Sequence, residues 1–229
     1  MKLDVVVLLF LAIPATRWLD LTDEDHQKAT SDIRYVYANV AKEINDMYKS
    51  INSSRYTFST RVVKLIITKE SHDPPFTEYH PARKNLRGIN MCQANIQFSK
   101  WLEKKKHFFP AYDVAIAFMK YADGLTGMGF KEGVCSPLNS AVATDMGIYG
   151  TSDTAAHKIG HILGAMHDGE GNNCAAEESH IMTPLQNPKN KHKHTFSRCS
   201  VKYFEDYVAN LTERKFIFYF LFNFSNFSE

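Results

Sequence analysis

Three histidines in this chain lie at a spacing that suits one divalent cation. His157 and His161 are four residues apart, so on a helix their side chains share one face, one turn apart. Gly164 can adopt a left-handed conformation that ends such a helix and lets His167 return to supply a third nitrogen. Three protein ligands with an open fourth position are typical of a catalytic zinc site. The spacing therefore predicts Zn²⁺ as the cofactor.

Hydrophobic periodicity predicts the elements that position these histidines. The residues around them are mostly apolar, as expected for a buried helix: Ala155, Ala156, Ile159, Ile162 and Leu163. Thr22 is suited to cap an earlier helix, whose apolar residues recur at three- and four-residue steps. In all, the sequence predicts further helices over 22–51, 92–107 and 201–208, and strands over 55–68, 112–119 and 141–146. This alternation indicates an α/β layered domain.

The N-terminal segment MKLDVVVLLFLAIPA fits two interpretations. One basic residue, an apolar run from Val5 to Ile13 and a small Ala15 as the cleavage point resemble a signal peptide over residues 1–15. The consecutive valines are equally typical of a buried first strand of a sheet. The run is too short to span a bilayer. Residues alone leave the signal peptide and the strand as alternatives.

Composition indicates a globular protein with a sizeable core, since 44% of residues are hydrophobic and 23% are charged. The net charge of +2 gives no argument for a nucleic-acid or anionic membrane partner. No two of the four cysteines form a CxxC pair, and an even number of separated cysteines allows two disulfides. Four Asn-x-Ser/Thr triplets are compatible with secretion, at Asn52, Asn210, Asn223 and Asn226.

Two further segments stand out by composition. Residues 189–194 (KNKHKH) form a basic run, which is interpreted as a solvated loop. Residues 209–229 form an atypical tail whose aromatic end, FIFYFLFNFSNFSE, would be an aggregation hazard as an exposed edge. The tail fits either a membrane-seeking segment or a translated non-coding end, and we favour the second interpretation.

The longer string from His157 to Asp168, HKIGHILGAMHD, followed by HIMTP, resembles the metzincin zinc proteases. Asp168, directly after the third histidine, is similar to the reprolysin (adamalysin) branch, which includes venom, salivary-gland and ADAM-type proteases. The resemblance extends through GVCSP at 133–137 and FSRCS at 196–200, and it covers roughly residues 111–208.

This resemblance implies a fold and a set of site residues. The fold would be a metzincin-like twisted mixed sheet with a zinc-site helix and a small irregular C-terminal subdomain, over residues 16–208. His157, His161 and His167 would be the metal ligands, and Met182 would form a methionine turn beneath the metal. Substrate would lie along an edge strand near Met128 to Phe130. The resemblance also implies an opening strand before the first helix, which favours the strand interpretation of the N-terminus.

The resemblance further implies a disulfide between Cys174 and Cys199. The usual partner of Cys135 would lie near the end of the chain, where this sequence has no cysteine. Either Cys92 takes that place or Cys135 is free.

Lys158 occupies the position at which these proteases carry a glutamate. The glutamate takes a proton from the zinc-bound water and passes it to the leaving amine, as general acid–base catalysis requires. An ammonium has three donors and no acceptor, so Lys158 is not expected to act as the base. Glu170, Glu177 and Glu178 follow the third histidine, and nothing in their spacing directs them toward this water. The sequence therefore predicts a retained zinc site with peptide hydrolysis lost or strongly reduced.

Three hypotheses for the function follow. The first is a secreted, catalytically impaired reprolysin-type domain that binds zinc and an extracellular protein or peptide. The second is an active zinc metalloendopeptidase that cleaves extracellular proteins. The third is a non-catalytic binding or structural protein whose histidines hold no metal. We expect a monomer without nucleic-acid or membrane partners.

Overall fold

The computed structural model describes residues 2–12, 22–68, 90–119, 125–134, 136–185, 187 and 189–223, with the backbone alone for residues 12, 68 and 212–223. Within these ranges the fold is a mixed α/β domain with one five-stranded sheet and four α-helices. Each predicted helix and strand corresponds to one of its elements, so the α/β class is confirmed. The elements are β1 (Lys2–Ala12), α1 (Asp23–Lys49), β2 (Thr57–Thr68), α2 (Met91–Lys105), β3 (Val114–Met119), β4 (Gly127–Gly129), β5 (Ser140–Thr144), α3 (Ile148–Ile162) and α4 (Arg198–Asn223).

The sheet is mixed, with strand order β2-β1-β3-β5-β4. The first four strands in this order run parallel, and β4 pairs antiparallel with β5 at the edge. The segment that the sequence left open between a signal peptide and a strand lies in the sheet as β1, between β2 and β3. Its Leu8, Leu9 and Phe10 are fully buried, as expected for a parallel strand covered on both faces. Ala15 lies outside the described residues.

Alternate residues of β1 contribute to two cores on opposite faces of the sheet, because successive side chains of a strand point to opposite sides. Val7 and Leu9 belong to the larger core, which includes residues of α1, α3 and α4. Leu8 and Phe10 belong to the smaller core with α2, where Phe10 meets Phe98 edge to face at 5.1 Å between ring centroids. The zinc-site helix predicted from the sequence, α3, therefore lies in the larger core.

The first helix connects the sheet to α3. Its N-cap is the predicted Thr22, whose side chain accepts a hydrogen bond from the backbone of Asp25 while the Asp25 carboxylate accepts one from Thr22. The buried stripe of α1 ends in Tyr48, which is fully buried. The Tyr48 hydroxyl donates a hydrogen bond to the carbonyl of Ala156 at 3.0 Å, so α1 contacts α3 directly beside the first histidine.

The chain from residue 163 to residue 197 contains no strand or α-helix within its described part, and it forms the irregular region below α3. The helix predicted over 201–208 is part of α4, which continues to Asn223 and so enters the segment 209–229. Among the described helices, none is both long enough and apolar enough to cross a membrane.

Candidate metal centre

The start and end of α3 are set by local hydrogen bonds and two glycines. At the start, the Asp145 carboxylate accepts hydrogen bonds from the Gly147 amide and the Thr151 hydroxyl. At the end, Gly164 has φ +95°, a left-handed conformation that L side chains rarely adopt. A Cβ at Gly164 would also lie 3.2 Å from Cβ of Tyr207. The reversal at Gly164 brings the following loop, including His167, back toward the helix.

The three predicted histidines meet at one point. Nε2 of His167 lies 3.3 Å from Nε2 of His157 and 3.1 Å from Nε2 of His161. The ligand atoms of all three lie within 4.8 Å of one another. A tetrahedral zinc ion with Zn–N distances of about 2.0–2.1 Å holds its ligand nitrogens about 3.3–3.4 Å apart, so the spacing fits zinc.

The second nitrogen of each ring, Nδ1, faces away from this point, and its hydrogen-bond partner determines the tautomer of the ring. Nδ1 of His157 lies 2.7 Å from the carbonyl oxygen of Ile181, and Nδ1 of His161 lies 2.9 Å from that of Ala165. Nδ1 of His167 lies 3.0 Å from Oε2 of Glu170. Because carbonyl and carboxylate oxygens only accept, each Nδ1 carries the proton, and each neutral ring presents the lone pair of Nε2. Three lone pairs thus face one point, as in a metal site with oriented ligands.

Burial favours the neutral rings that a metal requires. It lowers the pKa of His161 to about 4 and the pKa of His157 well below its ordinary value. The nearby charge of Lys158 lowers the pKa of both rings further. The unprotonated, metal-binding form of these two histidines is therefore present at neutral pH.

Met182, at the predicted methionine turn, is fully buried against α3. A Cβ at Gly160 would lie 2.5 Å from Sδ of Met182 and 3.5 Å from the ring of Phe196. The Met182 carbonyl accepts a hydrogen bond from the Asp168 amide at 2.9 Å. The turn thus touches both the zinc-site helix and the residue after the third histidine.

Asp168 links the histidine loop to the start of α4. Its side chain is buried, and its Oδ1 accepts a 2.6 Å hydrogen bond from the hydroxyl of Ser197. Burial raises the pKa of Asp168, whereas the hydrogen bond from Ser197 lowers it. A disulfide between Cys174 and Cys199 ties the same two segments together. Cys92 is an exposed free thiol, and Cys135 lies outside the described residues.

Lys158 lies on the side of α3 that faces β4. A Cβ at Gly127 would lie 2.9 Å from Cε of Lys158, and a Cβ at Gly129 would lie 3.6 Å from its Cβ. Burial lowers the pKa of Lys158 to about 8. Two of the glutamates considered above have other partners: Glu170 contacts Nδ1 of His167, and Glu178 lies 3.4 Å from Nε2 of His180.

The basic run 189–194 is only partly the solvated loop that its composition predicted. Lys189 and Lys191 are exposed. His192, however, is partly buried and stacks on His180, with 4.7 Å between ring centroids and 6° between planes. Nδ1 of His194 lies 2.8 Å from Oδ1 of Asp153 on α3. No spacing in the sequence indicated these contacts, since they join segments that are distant along the chain.

Comparisons with known proteins give the family. Residues 89–215 match the model described as "Reprolysin (M12B) family zinc metalloprotease". A relative from Bombyx mori, "A disintegrin and metalloproteinase with thrombospondin motifs like", is 27% identical over 190 residues, which are 70% of this chain and 26% of the relative. "A disintegrin and metalloproteinase with thrombospondin motifs 18" from Mus musculus is 35% identical over 150 residues, 65% of this chain and 12% of the relative. The chain thus spans about a quarter or less of the length of these relatives.

Among solved structures, a chain from "Structure of a chaperone-substrate complex" aligns with a TM-score of 0.47 and 14% identity, over 74% of this chain and 24% of that one. That similarity is too low to support any argument. The family match, by contrast, covers more than half of the 229 residues and includes all three histidines. This chain belongs to the reprolysin (M12B) family of zinc metalloproteases.

Proposed function

We propose that this chain is a zinc-binding reprolysin-type domain whose peptide hydrolysis is impaired by Lys158. One observation carries the metal part of the proposal. The Nε2 atoms of His157, His161 and His167 face one another, and each Nδ1 is held by a hydrogen-bond acceptor. Without a cation, three lone pairs would face each other at short range, which is electrostatically unfavourable. These three residues would hold Zn²⁺, which supplies Lewis-acid polarisation of a peptide carbonyl.

The impairment follows from the chemistry of Lys158. In the metal-free chain burial lowers the pKa of Lys158 to about 8, so its ammonium form predominates at neutral pH. An ammonium has three donors and no acceptor, so in this form Lys158 cannot take the proton from the water. Proton transfer by a positioned side chain contributes about 10²–10⁴-fold to such reactions, so its loss predicts a rate lower by that factor. The neighbouring Glu170 and Glu178 are occupied by His167 and His180 and are not candidates for a substitute base.

We expect the partner to be an extracellular protein or peptide. The edge strand β4 pairs with β5 on one side, and none of the described strands pairs with its other side. An extended peptide can add to such an edge through backbone hydrogen bonds. The net charge of +2 gives no argument for a nucleic-acid partner, and we expect a monomer.

Secretion is the localisation that we propose. The Cys174–Cys199 disulfide supports it, because disulfides persist in oxidising compartments. Asn52 and Asn210, each at the start of an Asn-x-Ser/Thr triplet, are exposed as glycosylation requires. Expression in a eukaryotic secretory host tests this: Asn52→Gln and Asn210→Gln should each remove one glycosidase-sensitive mass step. Intracellular retention of unglycosylated wild-type chain would contradict the proposal.

Zinc stoichiometry tests the metal part of the proposal. We expect about one zinc per wild-type chain, and a loss of zinc in His161→Ala and His167→Ala. Glu178→Ala serves as the control, because Glu178 contacts His180 and none of the three ligands. A wild-type chain that binds no zinc would favour the hypothesis of a structural protein without metal.

The second candidate function is an active zinc metalloendopeptidase, favoured by the family match. Peptide cleavage by the wild-type chain that stops on addition of a chelator would establish it over the impaired domain.

A further inference from the structure

The side chain of Lys158 runs beneath the edge strand of the sheet. The two glycines of β4 make room for it: a Cβ at Gly129 would meet Cβ of Lys158 at 3.6 Å, and a Cβ at Gly127 would meet its Cε at 2.9 Å. The aliphatic stem therefore follows the strand from Gly129 toward Gly127. A Cβ at Gly127 would also lie 2.7 Å from the Val142 carbonyl oxygen, so the strand has no space for a larger residue there.

The charged end of Lys158 has no partner within the part of the chain that the structure describes. Its side chain is partly buried, and no hydrogen bond or ion pair joins it to another described residue. By contrast, the nearby Lys131 lies 3.2 Å from the carboxylate of Glu132. A half-buried cation without a counter-charge favours an anionic ligand, because such a ligand offsets its lost hydration.

The position of Lys158 limits which anions can reach it. Lys158 lies on α3, the helix that also carries His157 and His161, and its side chain extends from this helix along β4. A peptide added to the open side of β4 would run along the same strand that covers the lysine stem. The backbone of this peptide can present a negative charge to Lys158 only at its C-terminal end, because the internal peptide units are neutral.

We propose that this cleft binds the free C-terminal carboxylate of an extended peptide, with Lys158 as the group that selects the carboxylate. The inference rests on the proposed zinc site, which lies beside the lysine and would add a second positive charge. A glutamate at position 158 would repel the same carboxylate, so the lysine reverses the charge preference of the cleft. The partner class is therefore peptides and proteins with an accessible C-terminus.

Equilibrium dialysis with three peptide pools tests the proposal. The first two pools are N-acetylated random hexapeptides with a free C-terminal carboxylate and the same hexapeptides as C-terminal amides. A third pool, amidated and with glutamate as the last residue, distinguishes a terminal from a side-chain carboxylate. We expect the zinc-loaded wild type to retain the free-acid pool about tenfold more than either amidated pool, the gain from one charge-assisted hydrogen bond.

Substitutions assign the preference to the lysine. Lys158→Met keeps an unbranched side chain without the charge, so it should retain the free-acid and amidated pools about equally. Lys158→Arg keeps the charge and should retain most of the preference for the free acid. Lys131→Met is the matched control, since Lys131 is ion-paired, and it should behave as wild type. Equal preference of the wild type for acid and amide, or an unchanged preference in Lys158→Met, overturns the inference.

Zinc content and thermal unfolding of every variant are measured alongside. A chain that binds no zinc but still prefers the free-acid pool through Lys158 contradicts the proposed metal site and supports the carboxylate preference. A chain that binds one zinc but shows no preference for the free-acid pool supports the proposed metal site and contradicts the carboxylate preference. The two claims therefore fail separately.

Discussion

Gly160 and Met182 fit each other across the floor of the histidine site. A Cβ on Gly160 would lie 2.5 Å from the Met182 sulfur, a separation that real Cβ atoms essentially never show. Gly160 lies between the two helical histidines and Met182 lies in the turn that contacts Asp168, so this contact fixes the distance between helix and turn. The absence of one side chain on α3 thus allows the turn to approach the site.

Gly160→Ala is expected to lower the free energy of unfolding by about 1–3 kcal/mol, because the added methyl overpacks the contact with Met182. On an ordinary helix the same change would be stabilising by up to about 1 kcal/mol. Urea unfolding of a double-mutant cycle with Met182→Ala isolates the contact. In the Met182→Ala background the substitution should be neutral or stabilising; an equal loss in both backgrounds would exclude the contact as the cause.

Leu9→Ala is expected to destabilise the protein by about 2–5 kcal/mol, because Leu9 is fully buried in β1, which lies between β2 and β3 in the sheet. Lys2→Ala, at the exposed start of the same strand, is the control and should stay within about 0.5 kcal/mol. Chemical unfolding measures both. A Leu9→Ala protein as stable as Lys2→Ala would mean that β1 is not part of the folded core.

Cys174→Ser with Cys199→Ser is expected to cost about 3 kcal/mol, because the disulfide closes a chain segment with a sequence separation of 25. That segment includes Met182 and Ser197, so zinc affinity should fall with stability. The melting temperature and zinc content report the two effects. Cys92→Ser removes the exposed free thiol and should leave both unchanged; a similar loss in both proteins would argue against a role for the disulfide.

Acidification should destabilise the metal-free protein. The pKa of His161 is about 4 when folded, below its ordinary value of 6.5, so the unfolded chain binds more protons between these values. The contribution of His161 is therefore complete above pH 6.5 and is lost as the pH falls toward 4, by about 3 kcal/mol in total. Burial is the main cause of the lowered pKa of His161, and the charges of Lys158 and His167 lower it further. The hydrogen bond to the Ala165 carbonyl and the charge of Glu170 oppose this shift.

The measurement is the free energy of unfolding in a chelator at pH 7 and pH 5, for wild type and His161→Asn. The wild type should lose more stability than the variant over this interval, because asparagine does not titrate. An equal loss of unfolding free energy in the wild type and in His161→Asn would show that His161 is already protonated, or fully solvated, in the folded chain.

Local patterns predicted most of the fold and the ligand set, since both depend on neighbours along the chain. The cap at Thr22 and the positive φ of Gly164 follow from a few adjacent residues. Local patterns could not distinguish a signal peptide from a first strand at residues 2–12, because both need the same apolar residues. In the structure this segment pairs with β2 and β3, which are remote in sequence.

The supporting contacts of the site were not predictable for the same reason. Asp168 with Ser197, His194 with Asp153 and Gly160 with Met182 join residues that are at least 22 positions apart. The three residues of β4 carry no periodic signal, and the family resemblance alone implied an edge strand there. Long-range packing, rather than local propensity, brings these groups together.

The central claim is that Lys158 removes the base from an otherwise intact zinc site. Cleavage of a quenched fluorescent peptide pool by wild type and Lys158→Glu, at equal measured zinc content, tests it most directly. We predict a rate about 10²–10⁴-fold higher for Lys158→Glu than for the wild type, and this cleavage should be abolished by a chelator. Chelator-sensitive cleavage by the wild type at a rate equal to or above that of Lys158→Glu would contradict it.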